Sequence, residues 1–146
     1  MQRRGAWLRP EQEALLVRAI GEAEAGNRGE VRVHAERRCP VPDAMARAQE
    51  LFFALEMGET AEDTGVLLYV ATESHECAVY AGEGVHGARG EGFWQSVADG
   101  LARGFAQNDP IGGFERALLA IGALLREVVP GEDVAGDELP DAVTAS

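Results

Sequence analysis

Apolar positions recur along this chain with two periods, about 3.6 residues and about 2, and the switches between them predict seven elements. After Pro10, the residues Leu16, Ala19, Ile20 and Ala23 fall on one helix face, with Glu11 and Glu13 in the first turn and Gly26-Asn27 at the end. Proline is tolerated at a helix start, acids there complement the dipole, and Gly and Asn accept the left-handed cap conformation. Glu30-Val31-Arg32-Val33-His34-Ala35-Glu36 then alternates strictly, which predicts a half-buried strand with Glu30, Arg32, His34 and Glu36 on its polar face. Pro40-Val41-Pro42 breaks the chain, Asp43 suits an N-cap, and Ala44, Ala48, Leu51, Phe52 and Leu55 share the face of a second helix stopped by Gly58. Val66-Leu67-Leu68-Tyr69-Val70-Ala71 is continuously apolar, as a central strand covered on both faces requires. The short turn from Thr72 to Glu76 makes the next strand, Cys77 to Ala81, its antiparallel neighbour. Phe93, Trp94, Val97, Leu101 and Phe105 carry a third helix, broken by Asn108-Asp109-Pro110. Ile111, Phe114, Leu118, Ile121, Leu125 and Val128 carry a fourth that stops before Pro130.

The order is therefore helix, strand, helix, strand, strand, helix, helix. A right-handed βαβ unit with a third strand paired back on it leaves four helices to cover two faces, which implies a three-layer α/β/α sandwich around a small mixed sheet. The second and fourth helices are expected over the central strand. Residues 1–130 form the single domain in this reading. Beyond Arg126 come Glu127, Glu132, Asp133, Asp137, Glu138 and Asp141 with no basic residue, so 131–146 reads as an extended, poorly packed acidic tail.

Composition narrows the function classes. At 146 residues, with 46% hydrophobic and 26% charged, the chain is long enough for one core and not two. A net charge of −12 repels phosphate backbones and anionic lipid, which argues against nucleic acid and membrane-surface partners. With no apolar run of membrane length and no apolar signal core behind Met1-Gln2-Arg3-Arg4, the expectation is a soluble, cytoplasmic protein. Cys39 and Cys77 are too few for a disulfide framework and lack metal spacing. Grouping them with His34 and His75 as a soft metal site is outweighed by the plainer reading, in which Cys77 packs as a small hydrophobe and His75 is solvated in a turn. Gly82-Glu83-Gly84 with Gly87 matches the spacing of a dinucleotide fingerprint, but it follows the third strand and lacks a βαβ context, so a turn-rich loop at the sheet edge is preferred.

Leu8-Arg9-Pro10-Glu11-Gln12-Glu13, Ala19-Ile20-Gly21-Glu22-Ala23-Glu24 and Arg28-Gly29-Glu30-Val31-Arg32-Val33-His34 together resemble the opening of a short, soluble TPM-domain protein. Phe53 to Thr60, Gly65 to Ala71, Gly84-Val85-His86, Phe93-Trp94 and Glu138-Leu139-Pro140-Asp141 extend the resemblance over nearly the whole chain. It implies an α/β/α sandwich of a kind found in bacteria and in a thylakoid lumen protein of photosystem II repair. It also implies three functional themes: acid phosphatase activity, calcium binding in loops at one end of the sheet, and assistance of protein assembly or repair.

The chain departs from that family at the loop after the third strand, where Gly82 stands at the position of an expected carboxylate and Gly87 and Gly92 at positions that are often acidic. Calcium takes several oxygen ligands, so these losses weaken a Ca²⁺ site. Glu83 and Glu91, each one residue from a vacated position, together with Glu30 and Asp63, are the candidate metal ligands. Against an enzyme, the chain has no phosphate-cradling Gly-x-x-x-x-Gly-Lys, and Arg89 is the one cation in the glycine-rich loop. No catalytic residue is assigned. The expectation is a non-catalytic, chaperone-like accessory protein acting on a protein partner, with a weakened divalent-metal site, and the alternative is a metal-assisted acid phosphatase-like hydrolase.

Overall fold

The computed structural model describes residues 7–59, 62–131 and 142–146. The elements are α1 (Pro10–Glu24), β1 (Glu30–Glu36), α2 (Ala44–Ala54), a 3-10 turn (Met57–Glu59), β2 (Gly65–Ala71), β3 (Glu76–Ala81), α3 (Glu83–His86), α4 (Glu91–Ala106), α5 (Pro110–Val128) and β4 (Val143–Ala145). Local chemistry sets several of these bounds. Pro10 occupies the first turn of α1, Asp43 caps α2 by accepting from the Met45 N–H at 3.1 Å, and Asp109 caps α5 by accepting from the Gly112 N–H at 3.1 Å.

The four strands lie in the order β3-β2-β1-β4, with β1 parallel to β2 and to β4 and β3 antiparallel to β2. Strand β2 is central, and all seven of its residues are buried. Its two faces feed separate cores. Val66, Leu68 and Val70, with Val31, Val33 and Val79, pack against Leu16 and Ile20 of α1, Trp94 and Leu101 of α4, and Phe114 and Ile121 of α5. Leu67, Tyr69 and Ala71 pack with Ala78 against Ala48, Leu51 and Phe52 of α2 and against Met57. The result is the expected α/β/α layering, with α2 alone on one face and three helices on the other.

Three features differ from expectation. The stretch 82–92 is not wholly a loop, because Glu83–His86 closes one helical turn around the buried Val85. Strand β1 is buried along its whole length and not on one face alone, since β2 and β4 flank both its edges and Arg47 of α2 reaches over to Glu36. The segment read as a free tail ends in the sheet. Val143, Thr144 and Ala145 pair with Val33, His34 and Ala35, and Val143 is buried. The physical reason is an apolar-polar alternation too short to register as a strand, completed by the unpaired edge of β1. The motif Glu138 to Asp141, Thr60 and most of the acidic segment lie outside the described residues.

Candidate functional site

The parallel strands begin, and β3 ends, at one end of the sheet, and the four metal candidates belong to elements that meet there or follow from it. Glu30 opens β1, is buried, and donates its N–H to the Thr64 carbonyl at 3.2 Å. Asp63 sits just before β2 in the left-handed region at φ 53°, a conformation aspartate tolerates better than most side chains. Its Oδ2 accepts from the Glu83 N–H at 3.0 Å and its carbonyl accepts from the Gly84 N–H at 2.9 Å. The loop of Asp63 thereby straps the first turn of α3.

This contact explains the glycines. A Cβ at Gly82 would collide with the Asp63 carbonyl oxygen and Oδ1, and a Cβ at Gly84 with the Glu62 carbonyl oxygen. The carboxylate of Asp63 thus takes the space that a side chain at 82 would need. Asp63 Oδ1 is buried and accepts no hydrogen bond among the described residues. Beside it, Arg28 donates to both oxygens of Glu62, at 2.7 and 2.9 Å, and to the Pro130 carbonyl, while the Thr64 hydroxyl donates to the Arg28 carbonyl at 3.0 Å.

The remaining two candidates lie on α3 and at the start of α4. Glu83 is exposed in the first turn of α3, next to Asp63 through its backbone. Glu91, at the start of α4, pairs with His86 Nε2 at 2.9 Å. Arg89 of the same loop pairs with Glu127. Among the described residues no group of three or more His, Cys, Asp or Glu gathers in a way that could hold a metal ion. Asp63 and Glu83 are joined by a hydrogen bond through the Glu83 backbone N–H, and this donor set falls short of a calcium cage.

The opposite end of the sheet holds a polar cluster that sequence reasoning assigned to solvent. Arg47 of α2 donates to both Glu36 oxygens, at 2.7 and 2.9 Å, and the Tyr69 hydroxyl donates to Glu36 Oε2 at 2.6 Å. The Ser146 hydroxyl lies 3.2 Å from Glu36 Oε1 and 2.5 Å from His34 Nε2, and His34 Nδ1 meets the Thr144 hydroxyl at 2.7 Å. Burial works against the charge on Glu36, yet the hydrogen bonds from Arg47 and Tyr69 outweigh it and hold the carboxyl below its usual range. Burial also raises the Tyr69 hydroxyl, with Glu36 adding to the shift. The cluster ties β1, β2, α2 and β4 together. The alternation Val143-Thr144-Ala145-Ser146 was the sequence signal for its β4 members.

Burial lowers His34 from its ordinary 6.5, and Arg47 and Arg32 add to that while Glu36 opposes it. Folding therefore favours the neutral ring. That stability is present above the unfolded value and is lost as pH falls through the lower folded value, with Glu36 acting in the same sense from 4.5 downward. The urea midpoint is expected to drop between about pH 7 and about pH 5, and a His34→Gln variant to flatten that slope. An unchanged slope in the variant would assign the dependence to other groups.

Cys39 and Cys77 are free thiols. Cys77 is pushed up to about 12 by burial and by Glu76, so it is an inert packing residue. His75 is exposed in the β2–β3 turn, as the plainer reading of both residues has it.

A mixed four-stranded sheet layered between α2 and the α1, α4 and α5 group defines an α/β/α sandwich whose loop end is built on Asp63 and α3. Residues 3–124 match the profile of the TPM domain, and the chain belongs to the TPM domain family. It is similar to the BA42 protein of the psychrophilic bacterium Bizionia argentinensis, with 29% identity, 100% of both chains covered and a TM-score of 0.84. The fold is shared with the N-terminal domain of a protein from P. gingivalis, at 15% identity, a TM-score of 0.69 and coverage of 84% of this chain and 78% of that one. It is shared also with the N-terminal domain of the cg2496 protein from Corynebacterium glutamicum, at 12% identity, a TM-score of 0.63 and coverage of 81% and 74%. No curated protein matches the chain. Among the described residues no helix is long and apolar enough to cross a membrane.

Proposed function

We propose that the chain is a non-catalytic accessory protein that assists the assembly, repair or holding of other proteins. The observation that carries this reading is a groove of about 290 Å³ between α1 and α5, floored by Ala19, Ala23 and Leu118 and flanked by Leu15 and Leu119. Leu119 is 72% and Leu15 45% exposed, an apolar display with no role in the fold's own core. Arg18, Arg116 and Arg126 outnumber Glu22 and Glu115 along it, on a chain of net charge −12. The occupant that suits it is an apolar segment of a partner protein flanked by acidic residues.

The second reading, a metal-assisted phosphomonoesterase, has one specific support in the buried, unpaired Asp63 Oδ1, and the matched family profile carries the name TPM phosphatase. A weak cation site centred on Asp63 and Glu83 is compatible with either reading. One experiment separates them. With a generic phosphomonoester, with and without Mg²⁺ and Ca²⁺, turnover is expected to stay at trace level and to be unaffected by Asp63→Asn. Saturable, metal-dependent turnover that Asp63→Asn abolishes would establish the hydrolase reading instead.

A further inference from the structure

A second cleft, of about 480 Å³, opens at the end of the sheet away from Asp63, where the β2–β3 turn meets the starts of α1 and α5. Its volume is that of a small-molecule site. Trp7, Phe105 and His75 supply ring walls, with centroids 6.2 Å apart for Trp7 and Phe105 and 6.4 Å for His75 and Phe105. The Trp7 indole Nε1 is buried and has no hydrogen-bond partner among the described residues. A buried indole N–H almost always finds an acceptor, so a lone one beside a cleft marks a place where a ligand atom belongs.

The other polar side chains of the lining can all donate, with acceptors besides on Thr72, His75 and Asn108. Arg9 offers only donors, and Gln12 already has its Oε1 engaged by the Arg9 N–H at 2.9 Å, which leaves its amide NH₂ as the unused end. Asn108 brings a second amide, and no Asp or Glu is among the lining residues. Glu11 lies 3.2 Å from Arg9 Nε, and with both side chains about 70% exposed this is a surface pair that a bound carboxylate can displace, while Asp109 caps α5.

We propose that this cleft binds a small aromatic carboxylate, its ring against Trp7 and Phe105 and its oxygens on the Trp7 indole N–H and the Arg9 guanidinium. The site is separate from the α1–α5 groove and stands or falls independently of it. The chain carries its own control, because the indole N–H of Trp94, the other tryptophan, is 1% exposed and already donates to the His86 carbonyl at 2.9 Å.

The test is a titration of the nitrogen-labelled protein with benzoate, followed by the two indole N–H resonances in proton–nitrogen correlation spectra. Benzoate is expected to move the Trp7 signal to saturation in the millimolar range, to leave Trp94 in place, and to bind at least about tenfold more tightly than acetate or benzyl alcohol, with benzylamine inert. Arg9→Ala, at a side chain 70% exposed and therefore safe for folding, is expected to weaken benzoate by about tenfold. The proposal is overturned if Trp7 does not move at about 10 mM benzoate, a concentration at which even a millimolar site fills. It is overturned equally if acetate, benzyl alcohol or benzylamine bind as well as benzoate, if Trp94 moves as far as Trp7, or if Arg9→Ala leaves the affinity unchanged.

Discussion

Replacing Leu68 with alanine is expected to destabilise the fold by about 2 to 5 kcal/mol. Leu68 is fully buried at the centre of β2, on the face shared by α1, α4 and α5, so the lost side chain leaves a cavity between four elements and not at a surface that can collapse. Chemical denaturation checks it. A loss below about 0.5 kcal/mol, the range of ordinary surface changes, would mean that this face is not the main core. Leu119→Ala, on the exposed side of α5, should by contrast fall within that small range.

The second large effect is expected at Glu36. Its removal by alanine would leave the Arg47 guanidinium without its bidentate partner, and the Tyr69 and Ser146 hydroxyls without an acceptor, in a part of the structure where Glu36 itself is only 9% exposed. Because the Arg47 side chain keeps 22% exposure and can recover some hydration, the cost is expected to be about 2 to 3 kcal/mol, below that of breaking a fully buried pair. Glu36→Gln should cost less, since it keeps an acceptor for Tyr69. A Glu36→Ala variant as stable as the parent would show that β4 and α2 are held by packing alone.

Much of this architecture was legible in the chain. The strict alternation from Glu30 to Glu36 and the apolar run ending at Ala71 mark β1 and β2, and the 3-4 spacing from Ile111 to Val128 marks α5, because each pattern is long relative to its period. What escaped was decided by long-range partners. Periodicity places Glu36 and His34 on one side of β1, but only the fold brings Arg47, thirteen residues beyond His34, and Ser146 onto them. Strand β4 has three residues, too few to show a period, and it depends on the open edge of β1. At the loop end, the glycine at 82 reads from sequence as a lost ligand. In the structure it is the clearance that Asp63 requires, a reason that lies nineteen residues away and in a left-handed backbone conformation no pattern announces.

In the function proposed, the chain holds other proteins through the α1–α5 groove. Light scattering from a heat-denaturing client protein, with this chain at equimolar amounts, tests it most directly when the parent is compared with a Leu15→Asp, Leu119→Asp double variant. Both side chains are exposed, so the variant should keep the parent's melting temperature, which is measured alongside. The parent is expected to suppress scattering, and the double variant, equally folded, is not. A parent without effect, or a variant that suppresses scattering as well as the parent, would contradict it.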